Sequence, residues 1–300
     1  MKKLVIASLM VLVPGLALAE STAVPSLPVT ARPIAAEYQI YVGGVHFVDA
    51  TAYVNLEAKK YHMMARAQTI GLWGRWFPWE TSVESEGVAA RDSVQPLAHK
   101  AVSAWKHKPK TMLLNFDDQG AVAIAPESTD APAPQDRLAD DVVRDTVDPL
   151  SGVLQLMAHY TIHDDCDAAT SVFDGKRRFD LLTADLGTVQ LRDNELSVFS
   201  GSARKCELRF KLIAGQRKDM EQRAFWQTDK GRENRPPFTI WLAKLRPDLP
   251  PMPVMAETKS PFGYVMIYLK SWAFEDQPRP SLLTAQLARQ PSDALEAKPR

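Results

Sequence analysis

An excess of charge of one sign, long apolar runs beyond the first twenty residues, and recognisable catalytic signatures are all missing from this 300-residue chain. Its 36 basic and 36 acidic side chains cancel, which argues against a general nucleic-acid binder, because such proteins carry a basic excess. After Leu18 no stretch is apolar for long enough to cross a bilayer, so no transmembrane helix is expected in the body of the chain. There is no Gly-x-Ser-x-Gly, no His-Glu-x-x-His and no phosphate-binding glycine loop, so the common hydrolase, zinc-peptidase and nucleotide-binding signatures are absent. Ser103-Ala104-Trp105-Lys106 and Ser202-Ala203-Arg204-Lys205 both fit Ser-x-x-Lys, the nucleophile pattern of penicillin-recognising enzymes. Neither opens a clear helix, and the companion Lys-Thr-Gly is lacking, so two matches show how cheaply the pattern arises. With two cysteines and no Cys-x-x-Cys pair, a catalytic thiol has little support. No internal repeat is present.

What is there begins with an address. Met1-Lys2-Lys3 followed by an apolar run to Leu18, with Ala17-Leu18-Ala19 behind it, has the form of a secretory signal peptide cleaved after Ala19. Removing it leaves 34 basic against 36 acidic residues and predicts a periplasmic protein. Residues 20–33 and 275–300, small, polar and proline-bearing, read as flexible tails around one β-rich domain at 34–274. Strand patterning recurs at 51–57, 61–70, 80–86, 94–105, 111–116, 176–182, 206–213, 223–228 and 264–270, separated by turn signals such as Gly43-Gly44 and Asp117 to Gly120. Pro247 to Pro253 reads as a bend. One segment is plainly helical, about 148–162: Asp148 suits the N-cap, Pro149 the first helical position, and Leu150, Val153, Leu154 and Met157 share a face. The expected fold is therefore mainly β: an antiparallel curved sheet, or an open or closed β-barrel, with one covering α-helix.

Three features carry the functional expectations. Cys166 and Cys206 in an exported chain predict a disulfide that ties the loop after the helix to the inward face of a strand. Trp73, Trp76, Phe77 and Trp79 crowd into a short run that either seals one end of the sheet or forms an apolar binding surface. Tyr264, Met266 and Tyr268 lie in a stretch apolar on both faces, as expected of a doubly buried strand or one lining a cavity. If the two central strands pair, Arg178, Arg209 and Lys211 join in a basic patch suited to an acidic headgroup; the plainer reading is a solvated face balanced by Asp174, Asp180 and Glu207. His159, His163, Asp164, Asp165 and Asp167 suit a helix terminus better than a metal, and no metal or cofactor is expected. His46, His62, His99 and His107 are scattered among strands without ligand spacing.

The segments DTVDPLSGVL (145–154), VFDGKRRFDL (172–181) and CELRFKLIAGQRKD (206–219), with Tyr38 to Gly44 and Gly71-Leu72-Trp73…Phe77-Pro78, resemble a bacterial envelope family designated domain of unknown function 3108. The resemblance covers roughly residues 33–270. It implies export and a β-rich fold, and supplies no catalytic residues. The leading expectation is a non-enzymatic periplasmic envelope protein that binds a lipid or the lipid part of a lipoprotein. The alternatives are a protein-interaction scaffold of the envelope and, third, a cell-wall or lipid hydrolase.

Overall fold

The computed structural model describes residues 27–30, 32–90, 93–215, 237–281 and 283. Thirteen strands pair into one antiparallel sheet: β1 (Ile34–Val42), β2 (Val45–Leu56), β3 (Lys60–Thr69), β4 (Trp79–Ala90), β5 (Ser93–Trp105), β6 (Lys108–Phe116), β7 (Val122–Ile124), β8 (Ala168–Phe173), β9 (Arg178–Leu191), β10 (Gly201–Ala214), β11 (Phe238–Lys244), β12 (Pro251–Ser260) and β13 (Gly263–Phe274). Their spatial order is β7-β6-β5-β4-β3-β2-β1-β13-β12-β11-β10-β9-β8. Each strand lies beside its sequence neighbour, the first and last strands are zipped together, and the break falls in mid-chain between β7 and β8. The expected antiparallel curved sheet is present; its backbone ladder does not close.

Tight turns keep the hairpins in register. Gly43 and Gly44 turn β1 into β2 with φ of 57° and 85°, and Lys106 and His107 turn β5 into β6 with φ of 50° and 60°. Positive φ at both central residues matches the right-handed twist of the strands, which explains how two non-glycine residues tolerate it. Pro251 opens β12 where a bend was expected, and Pro253 sits at an irregularity opposite Leu242. Proline is accommodated at those two places because neither needs a regular ladder donor.

The strong helix, α3 (Pro149–His163), starts as expected: the Asp148 carboxylate accepts from the Leu150 and Ser151 N–H groups, and Asp164 ends it in the left-handed conformation. It passes through the lower half of the curved interior, with Leu154 and Met157 packed among Val54, Leu56, Tyr61, Met63 and Val94. On its other side Leu156 meets Val172, Leu181, Leu208, Ile240 and the Cys166–Cys206 disulfide. A Cβ at Gly152 would stand in ordinary contact, 3.4 Å from the Val172 side chain.

Residues 125–147 fill the gap between the edge strands. Ala125 and Asp130 donate to carbonyls of β6, while Val147 exchanges backbone hydrogen bonds with Ser171 and Phe173 of β8. A short helix, α2 (Asp140–Val143), drops Val143 among Met112, Leu114, Phe116 and Phe173. The seam is thus closed by side chains and one strap. The parts of the expected tails that are described are docked: Leu27 packs on the core, Thr30 bonds to Leu56, and the Arg279 N–H donates to the Tyr53 hydroxyl. The expected strand at 223–228 and the signal segment 1–19 lie outside the described residues.

Candidate functional site

The inner face can be followed strand by strand, because residues directly opposite each other in an antiparallel pair share a face. Tyr61 bonds to Ser151 of α3 and so marks the inside. From it the inner row of β3 runs Tyr61, Met63, Ala65, Ala67, Thr69, opposite Leu56, Val54, Ala52, Ala50 and Val48 of β2. On β4 and β5 the same face carries Ser85, Val83 and Thr81 opposite His99, Ala101 and Ser103. Across the other side it carries Ile40 of β1 opposite Ile267 of β13. In the lower half these rows are buried against α3. Above it Ala50, Ala52, Ala65, Ala67, Val83 and Ile40 are only partly buried, with Tyr38 on the same row packed on the core, Ile267 on the cluster around Leu156 and Ala101 on that around Met112. Among the described residues the helix thus leaves an apolar inner face mainly of alanine and short aliphatic side chains.

The turns at 43–44, 70–78, 106–107, 174–177 and 261–262 ring the mouth of that hollow. Gly71–Trp76 forms a short helix, α1, between β3 and β4, with no buried residue. Trp73 leans on Phe47, with ring centres 5.2 Å apart, while Leu72 is 65 % and Trp76 62 % exposed. Phe77, Trp105, Phe262 and Tyr264 are also exposed, and Phe210 and Leu212 of β10 extend the apolar surface along the opposite wall. The tryptophans therefore rim the opening; they do not fill a solid interior.

Other expected site residues are placed differently. Tyr264, Met266 and Tyr268 point to the outer face, because Val265 and Ile267 take the inner positions opposite Val42 and Ile40. Alternation along β13 makes the choice, and the apolar character of both rows hid it from sequence inspection. Tyr268 instead lines an outer cavity of about 340 Å³ beneath the β9–β10 loop, and Trp79 borders one of about 150 Å³ beside α1. The central strands pair as expected, with Lys211 opposite Asp180 and Arg209 opposite Leu182. Yet Arg178 bonds to Asp180 and Ser171, and Arg209 to Glu207, so the supposed basic patch is largely neutralised by acids on the same face.

A profile of the family described as Protein of unknown function (DUF3108) matches residues 37–270, which spans β1 almost to the end of β13. The chain belongs to that family. No curated protein matches it. A crystal structure of a β-barrel-like protein of domain of unknown function DUF1849 from Brucella abortus aligns over 83 % of this chain and 100 % of its own length, at a TM-score of 0.46 and 10 % identity.

In this member of the DUF3108 family the sequence also concealed a buried polar cluster. Ser85, His99, Asp148 and Ser151 have at most 2 % of their surface exposed. Ser85 Oγ donates to Asp148 Oδ1 at 2.7 Å, Ser151 Oγ donates to Oδ2, and His99 Nδ1 stands 3.0 Å from Oδ1. Tyr61 OH meets Ser151 Oγ at 2.6 Å. The residue types are those of a serine hydrolase, but the geometry differs. In that arrangement the two imidazole nitrogens serve serine and carboxylate separately. Here His99 Nδ1 faces both, lying 2.8 Å from Ser85 Oγ, and no solvent reaches the group. Burial would raise the Asp148 pKa, but the His99 charge and the hydrogen bonds from His99, Ser151 and Ser85 hold it below the ordinary value. The cluster clamps the start of α3 to β4 and β5. Only the N-cap role of Asp148 was legible in the sequence; Ser85 and His99 meet through strand register.

The Ser-x-x-Lys matches come apart in the structure. Ser103 is near the end of β5 with Lys106 in the following turn, and the Lys205 ammonium lies over the Trp241 ring at 5.3 Å. The His159 and His163 rings meet tilted, 4.4 Å apart, and His159 is engaged by Asp165, 2.8 Å away.

Proposed function

We propose that this DUF3108 protein is a non-enzymatic periplasmic protein that holds an apolar or amphipathic ligand, a lipid or the acyl part of a lipoprotein, in the upper half of its curved sheet. One observation carries the reading: α3 fills only the lower interior and leaves a partly exposed inner face of alanine and aliphatic side chains beneath an aromatic rim. Such a surface gains about 25 cal/mol for each Å² of apolar area that a hydrocarbon chain covers. Export is supported by the leader-like N-terminus and by the Cys166–Cys206 disulfide, a bond that persists in oxidising compartments.

The test is lipid extraction and native mass spectrometry of protein purified from expressing cells. A stoichiometric co-purifying amphiphile is expected. Ala50→Trp combined with Ala67→Trp, at facing positions of the inner row, should cut the bound amphiphile several-fold while the thermal midpoint stays near that of the parent. Protein without amphiphile, or with loading indifferent to both tryptophans, overturns the proposal.

A further inference from the structure

The rim has a second property, which is charge. The three segments that carry its most exposed aromatics, 70–78, 105–110 and 259–264, contain Arg75, Lys106, Lys108, Lys110 and Lys259 and no acidic residue. They are contiguous in space. Lys106 N–H donates to Pro78 O, Ile70 N–H to Phe47 O, and Gly43 N–H to Tyr264 O, which links the segments through the β1–β2 turn. Lys259 lies over the Tyr264 ring at 5.4 Å, and Lys110 leans toward Asp130 at 3.4 Å. The far end of the sheet is mixed in sign: Asp117 and Asp118 occupy the β6–β7 turn, Lys59 the β2–β3 turn, Arg192, Asp193 and Glu195 the β9–β10 loop, and Arg246 and Asp248 the β11–β12 turn.

Exposed tryptophan and phenylalanine alternating with lysine and arginine is the composition that settles at the headgroup layer of a bilayer. There the rings sit among glycerol and carbonyl groups, and the cations meet lipid phosphates. The cations of these three segments favour an anionic surface at the mouth. We infer that the rim built by α1, the β5–β6 turn and the β12–β13 turn docks the protein, mouth first, on a membrane rich in anionic phospholipid. The inference concerns the outer rim and stands apart from whether the hollow is loaded, which a different measurement reads.

Co-sedimentation with vesicles decides it, using protein purified from expressing cells and checked by mass for loss of residues 1–19. Vesicles of phosphatidylglycerol and phosphatidylethanolamine should bind the protein, and binding should fall with salt; phosphatidylcholine vesicles should bind about tenfold less. Lys106→Glu with Lys108→Glu should lower binding to anionic vesicles at least tenfold, as should Trp76→Ser with Phe262→Ser. Val198→Ser at the far end should leave it unchanged. All these side chains are exposed, so folding is expected to survive, and circular dichroism checks it. Equal affinity for both vesicle types, no affinity for either, or rim variants that bind like the parent would each overturn the inference. Lipid extraction of the same variants reports separately on the hollow.

Discussion

Asp148 is the hub of the buried polar cluster. Its carboxylate caps α3, accepts from two serine hydroxyls and faces His99, all without solvent. Asp148→Asn should lower unfolding stability by about 3 kcal/mol, since it removes one member of a buried charged network. A denaturant midpoint that hardly moves would refute the role. The same group sets a pH dependence. Its folded pKa lies below the ordinary 3.8, so its contribution is complete above that value. The contribution is lost as pH falls through the lowered folded value. The parent should therefore lose stability more steeply below about pH 4 than Asp148→Asn does, which thermal scans across that range will show.

At the scale of elements, the helix and the disulfide were the most legible parts. A cap, a proline at the first helical position and a 3.6-residue period name α3 without help from tertiary contacts, and two cysteines allow one pairing. The bridge from Cys166 to Cys206 spans 40 residues and ties the exit of α3 to β10. By the chain-entropy argument its reduction should cost about 4 kcal/mol, and urea unfolding with and without reductant tests this. An unchanged midpoint would mean the α3 core holds that loop unaided. β11 and β12 were not legible, because burial on both faces erases alternation and Pro251 and Pro253 read as a bend. α1 was hidden for another reason: six residues with an exposed aromatic side give no helical period. The inner face of β13 and the meeting of Ser85 with His99 depend on register, which one strand's sequence does not contain.

At the scale of the whole molecule, α3 fills the lower half of the shell, and among the described residues the inner face of the upper half is partly exposed. Hydrogen exchange should show this, with slow amides where α3 packs and faster ones along 65–69, 81–83 and 265–267. Adding the bound amphiphile should slow the second set and leave the first alone; slowing spread evenly over the sheet would point to general stabilisation. One further consequence follows from the order of the strands. Ile34 stands opposite Phe274, so β1, paired on one side with its neighbour β2, finds the partner for its other edge only in β13, the last described strand. Every other pairing joins neighbours and can form as soon as two consecutive strands are free to meet. Until β13 arrives, β1 waits with a bare edge, open to pairing with another chain. A folding molecule of this shape therefore stays unfinished along one line until that strand arrives.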